Sequence, residues 1–385
     1  MVTSTPEQSH LAPQLPLALA LQRRGHDVLV VCGARVGEIA RRSGLRNVAA
    51  GLDLDPDRFG AGLKLAPPPG LAGSELAMWA QRAVFVETFA PALAADLRPL
   101  VEDWRPDVLM RDQSEYASWV VGEALGVPVV TTTFGRLPDV DYEQRVVGDA
   151  LQELRRDQGL EPDRELATLF AGPVLVPAPR SYADPSIAVL PSVSFVQPML
   201  HDAVGEGELP RWLEELSRGP VVYLTMGNII NREHLFRPFI DALANEPVAL
   251  IVTVGHANDP TEFEPLPSNI RVTQYIPNSL VFPRVDAVAC HGGFNTVMGA
   301  LMFGRPLVLA PVTADQPVHA ERCVDLGVGR LIRADTHDPD HIRDAVTSVL
   351  DDSSYRNAAE ALQHEIAALP NVETTASIVE AAALR

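Results

Sequence analysis

The sequence predicts an α/β protein made of two doubly wound domains, each a parallel sheet wrapped by helices. Three observations carry this. The 385 residues exceed one ordinary core, and 46% hydrophobic with 21% charged residues is a globular balance. Short β-branched runs alternate with amphipathic helical stretches, the pattern of parallel βαβ units. A stretch carrying Pro, Gly and acids, FVQPMLHDAVGEGELP, lies near Phe195–Leu209 and splits that alternation in two, as an interdomain linker does. The boundaries that follow are a first domain over 1–200, a second over 209–352, and a helical segment over 353–385 that crosses back to the first.

In the first half, only MVTST precedes the turn at Pro6, which is short for an opening strand; the expectation is a natural start several residues upstream. A helix from Leu15 to Arg24 ends at Gly25-His26 and leads into the strand VLVVC over 28–32. The strand PDVLMRD over 106–112, a helix from Tyr116 to Leu125, Gly126 and the strand VPVVTTT over 127–133 make further βαβ steps. Phe59–Ala90 and Phe134–Tyr142 read as apolar loops that either line a ligand pocket or simply pack. The second half restarts with VVYLTMG over 221–227. It continues with ALIVTVG (249–255), IRVTQYI (270–276), DAVACH (286–291) and RPLVLAP (305–311), separated by helical segments.

A net charge of −19 with no Lys/Arg cluster excludes nucleic acid as a partner, so any phosphate must be held locally. Lys64 is the lone lysine among mostly Arg cations, which with abundant Ala and Pro suggests a GC-rich bacterial gene. Cys32, Cys290 and Cys323 are odd in number and lack C-x-x-C pairing, so they read as reduced, buried thiols of a cytoplasmic protein. Neither a membrane-length apolar run nor a signal peptide is visible.

The segment from Tyr275 to Gln316 carries the most chemistry. Strand 286–291 delivers His291 at its carboxyl edge, and Gly292 and Gly293 let the backbone turn tightly. Asn295 and Thr296 open a helix that stops at Gly304. Amide N–H groups at a helix start, backed by the dipole, form an anion site that suits a diphosphate and stabilises its departure. The next crossing ends in a loop with Asp315-Gln316, able to hydrogen-bond sugar hydroxyls. Glycine loops alone are weak evidence; His, Gly-Gly, Asn-Thr and Asp-Gln in order on successive strand ends are far more specific.

That segment resembles the donor-binding signature of family 1 glycosyltransferases of the GT-B fold, in particular the bacterial enzymes that glycosylate antibiotics and other secondary metabolites. The start, SHLAPQLPLALALQRRGHDV, is similar to the same family, and the resemblance spans essentially the whole chain, most weakly in the middle of the first domain. It implies two Rossmann-like domains facing across a cleft. It implies that Tyr275, with Ile276 beside it, stacks on the donor's base. His291, Gly292, Gly293, Asn295 and Thr296 would meet the diphosphate, and Asp315 and Gln316 the sugar. Thr225, Gly227 and Asn228 match a second phosphate loop where the family usually has Ser-x-Gly-Ser. Position 295 carries Asn where many bacterial relatives have Gly, which leaves base and sugar open.

His10 follows the first strand in a loop, and its imidazole titrates in the range a general base needs. A loop histidine can also merely cap the next helix; the match at both ends of the chain favours catalysis. Asp112 ends a strand of the same sheet and could orient the histidine, although acids also follow strands as turn residues. The resemblance places a His–Asp pair at these positions and implies one displacement with inversion at the anomeric carbon. His26 reads as structural, and His319 as a partly exposed residue on the helix after Gln316. Asp53-Leu54-Asp55 and Asp139-Val140-Asp141 read as solvated loop acids rather than a metal motif.

The expected activity is thus a metal-independent, inverting transfer of a sugar from a TDP- or UDP-linked donor to a hydroxyl of a small apolar natural product. No cofactor beyond the nucleotide-sugar is implied, nor any membrane partner; a homodimer stays open. A hinge would lie near residues 200–208. Two alternatives remain: a nucleotide-sugar epimerase on the same fold, and a non-catalytic nucleotide-binding partner protein. A redox enzyme is disfavoured, because no G-x-G-x-x-G follows a first strand.

Overall fold

The computed structural model describes residues 1–53, 66–71, 73–201, 210–213, 219–227, 233–256, 258–332 and 338–384. The chain divides into two compact units, Met1–His201 with Leu369–Arg385, and Asp202–Ala368. The proposed hinge at 200–208 lies almost wholly outside the described residues.

The first unit is built on seven strands: β1 (Val2–Thr3), β2 (Leu29–Cys32), β3 (Arg46–Ala49), β4 (Leu109–Asp112), β5 (Val129–Thr132), β6 (Val174–Val176) and β7 (Val193–Phe195). They form one parallel sheet in the order β3-β2-β1-β4-β5-β6-β7. The order reverses between β1 and β4, where Val2 pairs with Val30 on one side and Met110 on the other. Every residue of β2 and β4 is buried, as a sheet covered on both faces requires. The helices are α1 (Gln8–Leu11), α2 (Leu15–Arg23), α3 (Ala34–Arg42), α4 (Gly73–Trp79), a π-helical segment (Ala80–Phe89), α5 (Ala90–Trp104), α6 (Ala117–Leu125) and α7 (Val140–Asp157).

The second unit repeats the plan. Strands β8 (Val221–Thr225), β9 (Ala249–Thr253), β10 (Ile270–Thr273), β11 (Ala287–Cys290), β12 (Leu307–Leu309) and β13 (Gly329–Leu331) are parallel in the order β10-β9-β8-β11-β12-β13. The reversal falls between β8 and β11, where Cys290 pairs with Thr225. Helices α8 (Glu233–Leu243), α9 (Asn278–Val281), α10 (Phe294–Met302), α11 (Gln316–Asp325), α12 (Pro339–Asp351) and α13 (Ser353–Ala367) complete it.

Several expectations need correction. The segment over 353–385 is not one crossing helix: α13 stays in the second unit against α10, and only α14 (Val372–Ala383) joins the first. Pro370 disfavours helix at the residue before it, and Asn371 starts α14 by accepting from the Thr374 amide. Ala376, Val379 and Ala382 of α14 enter the core that also holds Leu15 and Leu17 of α2. Arg24 forks onto Glu380 with Nε at 2.7 Å, and His26 reaches the same carboxylate at 2.8 Å, so His26 fastens α14. These bonds hold the Glu380 carboxyl down at about 2.

Phe59–Ala90, read as apolar loop, is helical from Gly73 onward, while 59–65 and 72 lie outside the described residues. Cys32, Cys290 and Cys323 are buried thiols outside any disulfide. Among the described residues no helix is long and apolar enough to cross a membrane.

Candidate functional site

In a doubly wound sheet, ligands bind beyond the carboxyl ends of the strands where the order reverses. In the second unit that place collects His291, Gly292 and Gly293 after β11 and Gly227 after β8. His291 follows β11, and its ring lies between two glycines from different loops. A Cβ at Gly227, after β8, would stand 2.9 Å from the ring, and one at Gly293 only 2.4 Å from Nε2. Gly292 adopts φ 82°, and a Cβ there would meet the Gln316 carbonyl at 3.0 Å. Bulk at any of these positions would push the imidazole, the turn or the start of α11 aside.

The same turn makes Gly293 the N-cap of α10, with no side chain capping the helix start. Phe294, Asn295 and Thr296 occupy its first turn; the Thr296 amide donates to the Gly293 carbonyl at 3.0 Å, so the amides of Phe294 and Asn295 and the dipole face whatever ligand the turn admits. Burial holds the His291 imidazole down at about 4, which keeps it neutral at pH 7. Its Nδ1 is buried, and the Thr225 backbone is a hydrogen-bonding neighbour of the ring. The ring therefore offers one donor or acceptor rather than a cation.

Asp315 and Gln316 begin α11. Gln316 is buried, and its Oε1 accepts from the amides of Val312 at 2.9 Å and Thr313 at 3.0 Å. The side chain thus shapes the loop after β12, and any ligand contact falls to its Nε2 as donor. His319 corrects the sequence expectation: it is 1% exposed, with Nε2 3.2 Å from Asp315 Oδ2 and its ring against Phe294. The i, i+4 spacing to Asp315 and the tertiary contact with α10 draw it inward. Tyr275 stands apart, after β10, and stacks on His256 with ring centroids 5.2 Å apart. The Ile276 side chain is 1% exposed, so only its backbone can meet a ligand. Asn228 lies outside the described residues.

In the first unit the reversal brings His10 and Asp112 together. His10 sits on the one-turn helix α1 rather than in a loop, and Nδ1 lies 3.1 Å from Asp112 Oδ1. Asp112 is 1% exposed; Oδ1 also accepts from Ser114 N at 2.8 Å, and Oδ2 from Thr5 N at 3.4 Å. Behind it, the fully buried Arg111 donates to the carbonyls of Glu115 at 2.8 Å and Leu169 at 3.2 Å, fixing the loop that carries the carboxylate. The His10 ring is held by Phe85, stacked at 5.5 Å, and by Phe134, edge-on at 4.6 Å. Its Nε2 faces Glu7 Oε2 at 3.4 Å.

Beside this pair, a narrow recess opens at the carboxyl ends of β1 to β4, walled by Phe85, Phe89 and Leu93. Phe85 and Phe89 belong to the stretch read as pocket or packing; they serve both. Next to them the sequence reading missed a network: Gln81 donates to Tyr116 Oη and Glu143 Oε2, each at 2.9 Å, and Tyr116 Oη donates to Glu143 at 2.9 Å. Burial pushes Glu143 up to about 7. Its three members come from a π-helix, a loop and α7, and no local motif links them.

The paired-acid loops serve the fold where they are described. Asp139 caps α7 by accepting from Tyr142 N at 2.9 Å, and Asp53 Oδ1 accepts from Arg35 N at 3.0 Å; Leu54 and Asp55 lie outside the described residues. Among the described residues no three His, Cys, Asp or Glu side chains gather as a metal site would require.

Two parallel sheets of one strand order, each with polar residues gathered at its reversal, define an α/β enzyme of the GT-B class. Comparison with known proteins gives the family. The model for the C-terminal domain of erythromycin biosynthesis protein CIII-like proteins matches residues 238–382. The 4'-demethylrebeccamycin synthase of Lentzea aerocolonigenes is 30% identical over 420 residues, covering 99% of this chain and 98% of that one. The elloramycin glycosyltransferase ElmGT of Streptomyces olivaceus is 29% identical, covering 96% and 94%. Among solved structures, the calicheamicin glycosyltransferase aligns with a TM-score of 0.83 at 25% identity, over 100% of this chain and 98% of that one. The glycosyltransferase VinC, solved with dTDP, aligns at 0.80 and 25%, over 100% and 99%. The chain belongs to the GT-B glycosyltransferases of antibiotic biosynthesis, which sets aside the epimerase and the non-catalytic readings.

Proposed function

We propose that this glycosyltransferase moves a sugar from a thymidine diphosphate donor to a hydroxyl of a small, largely apolar natural product, with inversion and without a metal. The observation that carries the reading is the His10–Asp112 pair, 3.1 Å apart and immobilised by Ser114, Thr5 and two phenylalanines. Asp112 holds Nδ1 protonated, so Nε2 is the basic nitrogen. Nε2 takes the acceptor's hydroxyl proton as the oxygen bonds to the anomeric carbon. The bond from that carbon to the diphosphate breaks, and the electron pair leaves with the phosphate oxygen. The amide ends of α10 stabilise the departing charge, the part a cation plays elsewhere. Attack opposite the leaving group inverts the anomeric centre.

The donor assignment is supported by the dTDP held by VinC. Tyr275, which stacks on His256, is assigned to the thymine, and Asp315 and Gln316 to the sugar. The apolar acceptor is supported by the aromatic walls beside His10.

The test is turnover of a dTDP-hexose with a panel of hydroxylated polycyclic aromatics in excess EDTA, the product's anomeric configuration being read by NMR. Transfer with inversion is expected. Retention of configuration, or activity only on adding Mg²⁺ or Mn²⁺, sinks the mechanism.

A further inference from the structure

The stretch Ala80–Phe89 winds as a π-helix between α4 and α5. Its bonds reach five residues back: the Ala90 amide donates to the Phe85 carbonyl, and Thr88 Oγ1 to the Ala83 carbonyl at 2.6 Å. π-Helical turns are mostly single and are frequent at functional sites, so a run of 10 residues needs contacts from elsewhere to hold it. Two sets are present. Near its start Gln81 Nε2 donates to Tyr116 Oη and Glu143 Oε2, each at 2.9 Å, and Tyr116 Oη donates to the same carboxyl oxygen at 2.9 Å. Further on, Phe85 stacks on the His10 ring at 5.5 Å and meets Phe89 edge-on at 5.8 Å.

The two sets form one mechanical chain. Tyr116 is the N-cap of α6 and 1% exposed, and Glu143 lies on α7, which packs along the π-helix. Gln81 is thus tied to two helices, and the phenylalanine four residues on is tied to His10. A slip of one residue in the winding turns a helix by about 100°, the step that 3.6 residues per turn imposes. Such a slip between Gln81 and Phe85 would break one attachment or the other. The attachment at Phe85 matters to the base. Asp112 holds Nδ1 at 3.1 Å, but a single bond lets the ring swing; Phe85 on its face and Phe134 edge-on at 4.6 Å stop it.

We propose that Gln81, Tyr116 and Glu143 are positioning residues for the base: by fixing the π-helix they keep Phe85 stacked on His10 and so set where Nε2 points. This rests on the role of His10 proposed for the reaction. The three act through Phe85 and need not touch the acceptor.

The test uses the full chain carrying isotope-labelled histidine, read by NMR. The His10 ring resonances are identified by their loss in His10→Gln, and Phe85→Leu marks where they move once the stacked ring is gone. Gln81→Met keeps the length of the side chain and removes both of its bonds. It should move the His10 resonances toward their Phe85→Leu positions. It should also lower kcat about tenfold with dTDP-glucose and the fastest hydroxylated aromatic acceptor, the dTDP melting shift staying as it was. Tyr116→Phe leaves Gln81 one of its two bonds and should move the resonances the same way by less. Glu143→Gln, whose amide oxygen accepts the same bonds, should leave them in place. Resonances that stay put in Gln81→Met, or move as far in Glu143→Gln, overturn the proposal. So does an undiminished kcat beside shifted resonances. If Gln81→Met does not fold, Tyr116→Phe decides by the same two readings. A parent that transfers no sugar condemns the proposed reaction, and the resonances then decide the positioning role on their own.

Discussion

The two sheets share one strand order, yet their reversal points are furnished for opposite tasks. In the first unit an imidazole meets a carboxylate that two backbone amides pin in place, an arrangement suited to taking and holding a proton. In the second the imidazole is desolvated, neutral and walled by glycines, beside a helix start with no capping side chain. A common topology supplies only the location. What differs is which atoms arrive there: charged side chains in one case, backbone amides brought close by missing Cβ atoms in the other.

The largest effect should come from the proton site. His10→Ala is expected to lower kcat/KM by about 10²–10⁴, and Asp112→Asn by a comparable factor through loss of the correct tautomer. Both should leave the dTDP-induced melting shift in place. A variant that lost nucleotide binding as well would break the division of labour.

Next comes the anion site. Gly293→Ala puts a Cβ 2.4 Å from His291 Nε2, so either the ring or the first turn of α10 must move. A displacement of that size should weaken dTDP about 10–100-fold by calorimetry, with the pH dependence of the remaining turnover unmoved. Undiminished affinity would mean the diphosphate binds elsewhere.

The smallest effect separates the units by pH. Glu143 is raised from 4.5 to about 7, so folding favours its protonated form; that stability is full below 4.5 and is lost as pH climbs through 7. Glu143→Gln should recover about 2 kcal/mol at pH 8 relative to pH 5, read from urea midpoints. His291 runs the other way: lowered from 6.5 to about 4, it withdraws stability as pH falls between those values. Equal pH profiles for Glu143→Gln and its parent would erase the contrast.

Much of this was legible from residue order. The alternation of β-branched runs and helices marked nine of the thirteen strands among the described residues, counting the short opening one. Tyr275 to Gln316 marked the second unit's reversal. The missed strands are β3, β6, β7 and β13, each three or four residues long. β3 is polar and incompletely buried, and β6 begins just after Pro173. Runs that short fall below what periodicity resolves. His319 was misplaced because its burial depends on Phe294, which lies on another helix. The Gln81–Tyr116–Glu143 network depends on contacts from distant parts of the chain, which no local pattern announces.

The hand-over at Pro370 bears on the order in which the molecule can be made. The first unit's core needs Ala376, Val379 and Ala382, which a ribosome delivers after every residue of the second unit. During synthesis the half carrying His10 must therefore wait, its α2 face open, until the other half has emerged and the last helix arrives. A premature stop just before α14 would spare the sequence of the nucleotide half and leave the proton-transfer half unclosed.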